Sequence, residues 1–220
     1  MHINAYIDHT LLKPTASKNE IIKLCDEAIT YEFFSVCVNS CNVSLAKQIL
    51  AKTQVKICSV VGFPLGAMST DAKVHEAKIA LNDGADEIDM VMNIGSLKSK
   101  DFDHVWKEVE AIKRIMPNNI LKVILETCYL EEDEILKASE LAIKGGADFI
   151  KTSTGFGPRG ASLEDIKLMK SVAKDTTKIK ASGGIKDAKT AINYINSGVQ
   201  RLGTSSGIAI LKGRISKSNY

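Results

Sequence analysis

Four charged residues interrupt short apolar runs of this 220-residue chain. They are Asp89 in Glu87-Ile88-Asp89-Met90-Val91-Met92-Asn93, Lys122 in Leu121-Lys122-Val123-Ile124, Lys151 in Phe149-Ile150-Lys151-Thr152-Ser153-Thr154-Gly155, and Lys180 in Lys178-Ile179-Lys180-Ala181-Ser182. An ammonium buried without a partner is costly enough to shed its proton, and the neutral amine attacks carbonyls. Lys151 is therefore a candidate Schiff-base nucleophile. A lone lysine at a strand end can instead snorkel to water, so the reading rests on its company. The intervals 151 − 122 and 180 − 151 are both 29 residues, which predicts equal depth in successive strand–helix units. Lys151 and Lys180 then lie on neighbouring strands, where like charges disfavour each other's protonated forms and lower at least one amine pKa. Asp89, two strands earlier, supplies a carboxylate able to exchange protons with either amine. The competing account is a buried ion-pair network that merely holds the strands closed. Perturbed titratable groups gathered in one place favour a site.

Such residues need a scaffold on which strand ends converge. Eight apolar runs, at 6–10, 33–39, 56–63, 87–93, 120–127, 149–154, 178–182 and 201–205, read as strands. Amphipathic stretches such as 17–31, 69–83, 101–116, 131–144, 162–174 and 187–196 separate them, with apolar residues returning every three or four positions. Ser17 with Glu20, Asp101 with His104 and Ser162 with Asp165 are N-cap signals. Gly84, Gly146 and Gly198 stand just before the next strand, where a left-handed C-cap is expected. Helical crossovers between strands that read as apolar on both faces imply a parallel sheet. Eight such units predict an α/β fold, a single-domain (β/α)8 TIM barrel over residues 1–212 with a polar tail at 213–220. A doubly wound open sheet is the alternative, but the turn Asp8-His9-Thr10-Leu11-Leu12-Lys13-Pro14 lacks the glycine such folds place after their first strand.

Three segments that directly follow predicted strands are rich in glycine and hydroxyls. They are Thr154-Gly155-Phe156-Gly157-Pro158-Arg159-Gly160, Ser182-Gly183-Gly184-Ile185 and Gly203-Thr204-Ser205-Ser206-Gly207. The last two follow strands seven and eight, where barrels bind phosphate, with a short helix expected over 206–211. A phosphorylated substrate is the expectation.

The bulk numbers exclude several classes. A net charge of +3, with basic and acidic residues interleaved, gives no nucleic-acid surface. No apolar run approaches the ~20 residues of a membrane span and no signal peptide is evident, so a cytoplasmic protein without a membrane partner is expected. The five cysteines, Cys25, Cys37, Cys41, Cys58 and Cys128, read as reduced core thiols. They form no C-x-x-C pair, and the four histidines have no H-x-x-x-H spacing, so no metal site or cofactor is expected.

The motifs around Asp89, Lys151 and Lys180, the segment Gly203-Thr204-Ser205-Ser206-Gly207, the opening Ile7-Asp8-His9-Thr10-Leu11-Leu12-Lys13-Pro14 and the turn Gly62-Phe63-Pro64-Leu65-Gly66 together resemble the deoxyribose-phosphate aldolases, in order from about residue 6 to 207. The resemblance implies a metal-independent class I aldolase that reversibly cleaves 2-deoxy-D-ribose 5-phosphate to D-glyceraldehyde 3-phosphate and acetaldehyde. By matching position it makes Lys151 the Schiff-base lysine, Lys180 the neighbour that lowers its pKa, and Asp89 the proton relay. It places Gly155, Gly183, Gly184, Gly203, Ser205 and Ser206 at the phosphate, and Thr154, Leu12 and Cys37 near the substrate. Where some members carry a lysine this chain has Phe156, and Arg159 is the cation of that loop that would replace it. Some members end in a tyrosine that reaches the site, which makes Tyr220 a candidate proton donor. A homodimer or homotetramer is the family's expectation. Other readings are a different Schiff-base sugar-phosphate aldolase or transaldolase, and a barrel that only binds a phosphorylated metabolite.

Overall fold

A computed structural model describes residues 2–174 and 176–216. Tyr220 lies outside the described residues. Eight parallel strands, β1 (Ile7–Leu11), β2 (Ser35–Val38), β3 (Lys56–Val61), β4 (Glu87–Val91), β5 (Ile120–Ile124), β6 (Phe149–Lys151), β7 (Lys178–Ser182) and β8 (Arg201–Thr204), close into one barrel in sequence order. β8 pairs back onto β1, with Asp8 opposite Gly203. Around the barrel run α1 (Lys18–Thr30), α2 (Val43–Leu50), α3 (Thr70–Asn82), α4 (Ile94–Lys98), α5 (Phe102–Ile115), α6 (Glu132–Lys144), α7 (Leu163–Ala173), α8 (Ala188–Asn196) and α9 (Gly207–Leu211). The (β/α)8 expectation holds. No helix among the described residues is long and apolar enough to cross a membrane.

Local chemistry sets these elements. Ser17 opens α1 with a capping box, its hydroxyl accepting from the Glu20 N–H while the Glu20 carboxylate accepts from the Ser17 N–H. Ile21, Leu24, Cys25 and Ala28 then form the buried stripe, at helical spacing. Ser162 and Asp165 repeat the device at α7. Gly84, Gly146 and Gly198 all adopt positive φ, as a left-handed C-cap requires. The aspartates after two of these glycines tie each unit to the previous one: Asp86 accepts from the Ile57 N–H at 2.9 Å and Asp148 from the Leu121 N–H at 2.8 Å.

The strands stop earlier than their burial suggests. β6 ends at Lys151, yet Thr152, Ser153 and Thr154 remain buried. The chain there leaves the ladder while keeping single bonds to its neighbours, Thr152 N–H to the Lys180 carbonyl and Thr127 N–H to the Thr152 carbonyl. Nor are the strands apolar on both faces. Outward residues such as Val36, Ile88, Leu121, Val123, Ile150, Ile179 and Leu202 join the core with the helices. The inward set includes Asp8, Glu87, Asp89, Lys122, Lys151, Lys180 and Arg201, all buried. Of the cysteines, Cys25, Cys37 and Cys58 are core thiols, whereas Cys41 is exposed and Cys128 half-buried. The exposed Cys41 lies in the connection after β2, beyond the apolar run that suggested burial.

Candidate active site

Register decides which charged side chains meet. On β6 and β7, Lys151 stands opposite Lys180. Lys122 on β5 is opposite Phe149, so it lies two residues deeper than Lys151 and the equal 29-residue intervals do not give equal depth. Asp89 on β4 faces Lys122 across the β4–β5 pair.

Asp89 gathers all three amines. Its Oδ2 receives Lys151 Nζ at 2.7 Å and Lys180 Nζ at 2.8 Å, and its Oδ1 receives Lys122 Nζ at 2.9 Å and the Cys58 thiol at 3.0 Å. The ion pairs continue into a ring. Lys122 reaches Glu87 at 2.5 Å, Arg201 bridges Glu87 (2.8 Å) and Asp8 (2.6 Å), and Asp8 returns to Lys180. Ser35 donates a further hydrogen bond to Asp8 at 2.7 Å.

Burial alone would push the Asp89 carboxyl up. The ammonium groups of Lys122, Lys151 and Lys180 outweigh it and hold Asp89 well below the usual aspartate range. Asp8 is lowered likewise, burial being overcome by Lys180 and then Arg201. Burial would lower Lys180, yet Asp8 and Asp89 raise it above the ordinary lysine value. The like charge of Lys122 does lower Lys180, but the two carboxylates outweigh it, so the net shift is upward and not the fall expected from neighbouring amines alone. Lys122 is raised for the same reason, with Asp89 its largest opponent to burial.

The sign of the pH dependence follows. Depressed carboxylates stabilise the fold fully above the ordinary aspartate value of 3.8 and lose that contribution as pH falls through their folded-state values. Raised amines contribute fully below the ordinary 10.5 and lose it as pH rises through theirs. Melting temperature measured from about pH 9 down to about pH 3 is thus expected to keep the ring's contribution until the acid end. A decline beginning near neutrality and absent from an Asp89→Asn variant would contradict this.

Above the ring a cleft opens at the C-terminal end of the strands. Leu12, Lys151, Thr154, Gly155, Gly183, Gly184, Gly203, Ser205 and Ser206 all line it. Asp89 and Lys180 lie beneath it, fully buried. Cys37 stands off this wall, in a small cluster with Leu12, Cys58 and Val60. Its pKa is lowered, chiefly by the hydrogen bond from Cys58. Gly203 has a steric reason: a Cβ there would stand 2.9 Å from Ser182 Cβ and 3.1 Å from Lys180 Cε. Cys37, Cys58 and Asp89 place ligand-type atoms within 4.8 Å of one another. Three ammonium groups already on Asp89 oppose a further cation there.

Two residues change the reading of the phosphate end. Arg159 does not line the cleft; its guanidinium binds Asp165 through both nitrogens (2.5 and 3.1 Å) and the Thr127 carbonyl at 3.1 Å. The cation on this wall is instead Lys186, beside Gly183 and Gly184. Lys186→Ala is expected to raise KM for a phosphorylated substrate about tenfold, whereas Arg159→Ala should lower the melting temperature more than it changes KM. Steady-state kinetics and thermal unfolding of the two variants separate these effects, and equal KM changes would refute the assignment. Sequence reasoning gave no role to Asp8, Glu87, Arg201, Glu126 or Lys186. Arg201 had a usable signal, since it lies two residues before Gly203 and so shares its strand face.

The profile of the DeoC/LacD family aldolases matches residues 3–213. Deoxyribose-phosphate aldolase of Finegoldia magna is 55% identical over 97% of this chain and 100% of its own. That of Treponema denticola is 56% identical over 97% of this chain and 100% of its own. Among solved structures, the tetrameric deoxyribose phosphate aldolase of Aeropyrum pernix superposes with a TM-score of 0.89 at 31% identity, covering 96% of this chain and 89% of its own. With a matching profile over nearly its whole length and relatives at this identity, the chain belongs to the DeoC/LacD family of aldolases, enzymes of the aldehyde-lyase class.

Proposed function

We propose that this enzyme is a class I aldolase that reversibly cleaves 2-deoxy-D-ribose 5-phosphate to D-glyceraldehyde 3-phosphate and acetaldehyde through a Schiff base on Lys151. The observation that carries the reading is the shared oxygen: Lys151 Nζ and Lys180 Nζ both sit on Asp89 Oδ2, at 2.7 and 2.8 Å. The ring holds four cations, Lys122, Lys151, Lys180 and Arg201, against three carboxylates, Asp8, Glu87 and Asp89. Burying such a set is least costly with one amine neutral. Lys122, Lys180 and Arg201 each pair with two carboxylates, and among the described residues Lys151 pairs only with Asp89. Lys151 is also the one on the cleft wall, and the proposed chemistry uses it as the neutral amine.

Neutral Lys151 adds to the C1 aldehyde of the open-chain sugar. Asp89 and Lys180 move the protons that let water leave, and an iminium remains. The C3 hydroxyl loses its proton as the C2–C3 bond breaks. The bonding pair flows into the iminium, giving the enamine and free D-glyceraldehyde 3-phosphate. Protonation of the enamine carbon and hydrolysis release acetaldehyde and regenerate the amine. The glycine and serine wall at 183–184 and 203–206, with Lys186, holds the phosphate. No cofactor takes part. The enzyme acts in the cytoplasm in the breakdown of deoxyribose phosphate from nucleosides, as a homodimer or homotetramer.

Incubation with acetaldehyde and borohydride, followed by intact mass and peptide mapping, tests this. One ethyl group per chain on the Lys151 peptide is expected. An unmodified chain would leave a barrel that only binds, and modification elsewhere would move the nucleophile.

A further inference from the structure

β5 and β6 do not advance in step. The Leu125 N–H donates to the Lys151 carbonyl at 2.9 Å, and the next bond of the pair runs from the Thr127 N–H to the Thr152 carbonyl at 3.0 Å. Between these bonds one chain advances two residues and the other one, just past the ends of both strands, and Glu126 sits there as the N-cap of the 3-10 turn Thr127–Tyr129. Glu126 has φ 55° and ψ 60°, the left-handed region that a residue with a side chain seldom occupies. It is also a carboxylate at only 2% exposure. A strained backbone carrying a buried charge persists only where its surroundings hold it in place.

This left-handed turn aims the Glu126 carboxylate at the segment after Lys151. Glu126 Oε1 accepts from the Thr154 N–H at 3.1 Å, and Oε2 accepts from the Thr154 hydroxyl. That hydroxyl in turn accepts from the Phe156 N–H at 3.0 Å, across Gly155 at φ 90°. Thr154, Gly155 and Phe156 line the cleft together with Gly183 and Gly184. Glu126 itself is not on the cleft wall. Space behind the segment is already taken, since a Cβ on Gly157 would stand 2.5 Å from Cys128 Sγ and 3.5 Å from the Glu126 carboxyl.

We propose that Glu126 is a positioning residue that fixes the Thr154–Gly155–Phe156 wall so that the cleft selects a phosphorylated over an unphosphorylated sugar. The inference rests on the function proposed above. Lys151 itself is held by Asp89 and by its strand, so the clamp governs binding of the substrate's far end and leaves the nucleophile in place.

Glu126→Ala, Glu126→Gln and Thr154→Val are to be compared with the unaltered enzyme on 2-deoxyribose 5-phosphate and on 2-deoxyribose. Glu126→Ala is expected to lose about tenfold or more in kcat/KM on the phosphorylated sugar, mainly through KM, the size expected for a lost hydrogen bond to a charged group. On the unphosphorylated sugar the loss should stay under about threefold, so discrimination collapses. Glu126→Gln keeps an acceptor for the Thr154 N–H and should recover most of it, with Thr154→Val intermediate. If Glu126→Ala does not fold, the other two variants carry the same comparison. Equal losses on both sugars, or no loss in any variant, would overturn the proposal. Absence of the borohydride adduct in the unaltered enzyme would instead overturn the Schiff-base reading, so the two failures are distinct.

Discussion

Lys151→Ala is expected to lower kcat by a factor on the order of 10⁴–10⁶, the range seen when a covalent nucleophile is removed, and to abolish the adduct trapped with borohydride. The loss cannot be made up by a neighbour. Lys180, in register with Lys151, is fully buried and held by both Asp8 and Asp89. Lys122 lies two residues deeper and is held by Glu87 and Asp89. Stability should move little or upward, because the substitution leaves the other three cations and the three carboxylates paired with one another. Single-turnover kinetics and a melting curve on the same sample check both halves. Retained adduct, or a large fall in melting temperature, would contradict the charge balance on which the mechanism depends.

Arg201→Met is expected to show the opposite pattern of damage. Its guanidinium touches Asp8 and Glu87 at 2.6 and 2.8 Å, both carboxylates are buried, and its carbon lies 3.2 Å from the Phe34 ring centroid. Removing one partner of a buried ion pair leaves uncompensated charge and costs about 3–5 kcal/mol. For a chain of this size that is a fall in melting temperature on the order of 10 °C. A second change, Glu87→Gln, removes a carboxylate with the cation and should regain part of the loss, giving a favourable coupling in the double-mutant cycle. An Arg201→Met enzyme destabilised by less than about 1 kcal/mol would mean that water or a rearranged Lys122 already satisfies the ring.

The two variants mark what could and could not be read from residues alone. The strand order and the pairing of Lys151 with Lys180 were legible, because period-two charges in apolar runs and glycine-ended helices are local signals. Lys122 was misplaced in depth. β5 pairs residue 122 with 149 and β6 pairs 151 with 180, offsets that connecting segments set and no strand reveals. Arg159 stood as the ligand cation only through the resemblance, some members carrying a lysine where this chain has Phe156. Its partner Asp165 lies at the start of the next helix, and only the fold brings the pair together with Thr127. Glu126 gave no signal, since a left-handed residue just past a strand end is a tertiary solution written in an ordinary glutamate.

The bare α-carbon at residue 203 joins matters that a redesigner would wish to treat separately. A methyl there would collide with the shaft of Lys180 as well as with Ser182, so reshaping this wall for an uncharged or bulkier aldehyde at that position would disturb the buried amine below. Variation aimed at substrate scope belongs at Ser205, Ser206 or Phe156, and libraries that randomise residue 203 should return mostly inactive clones.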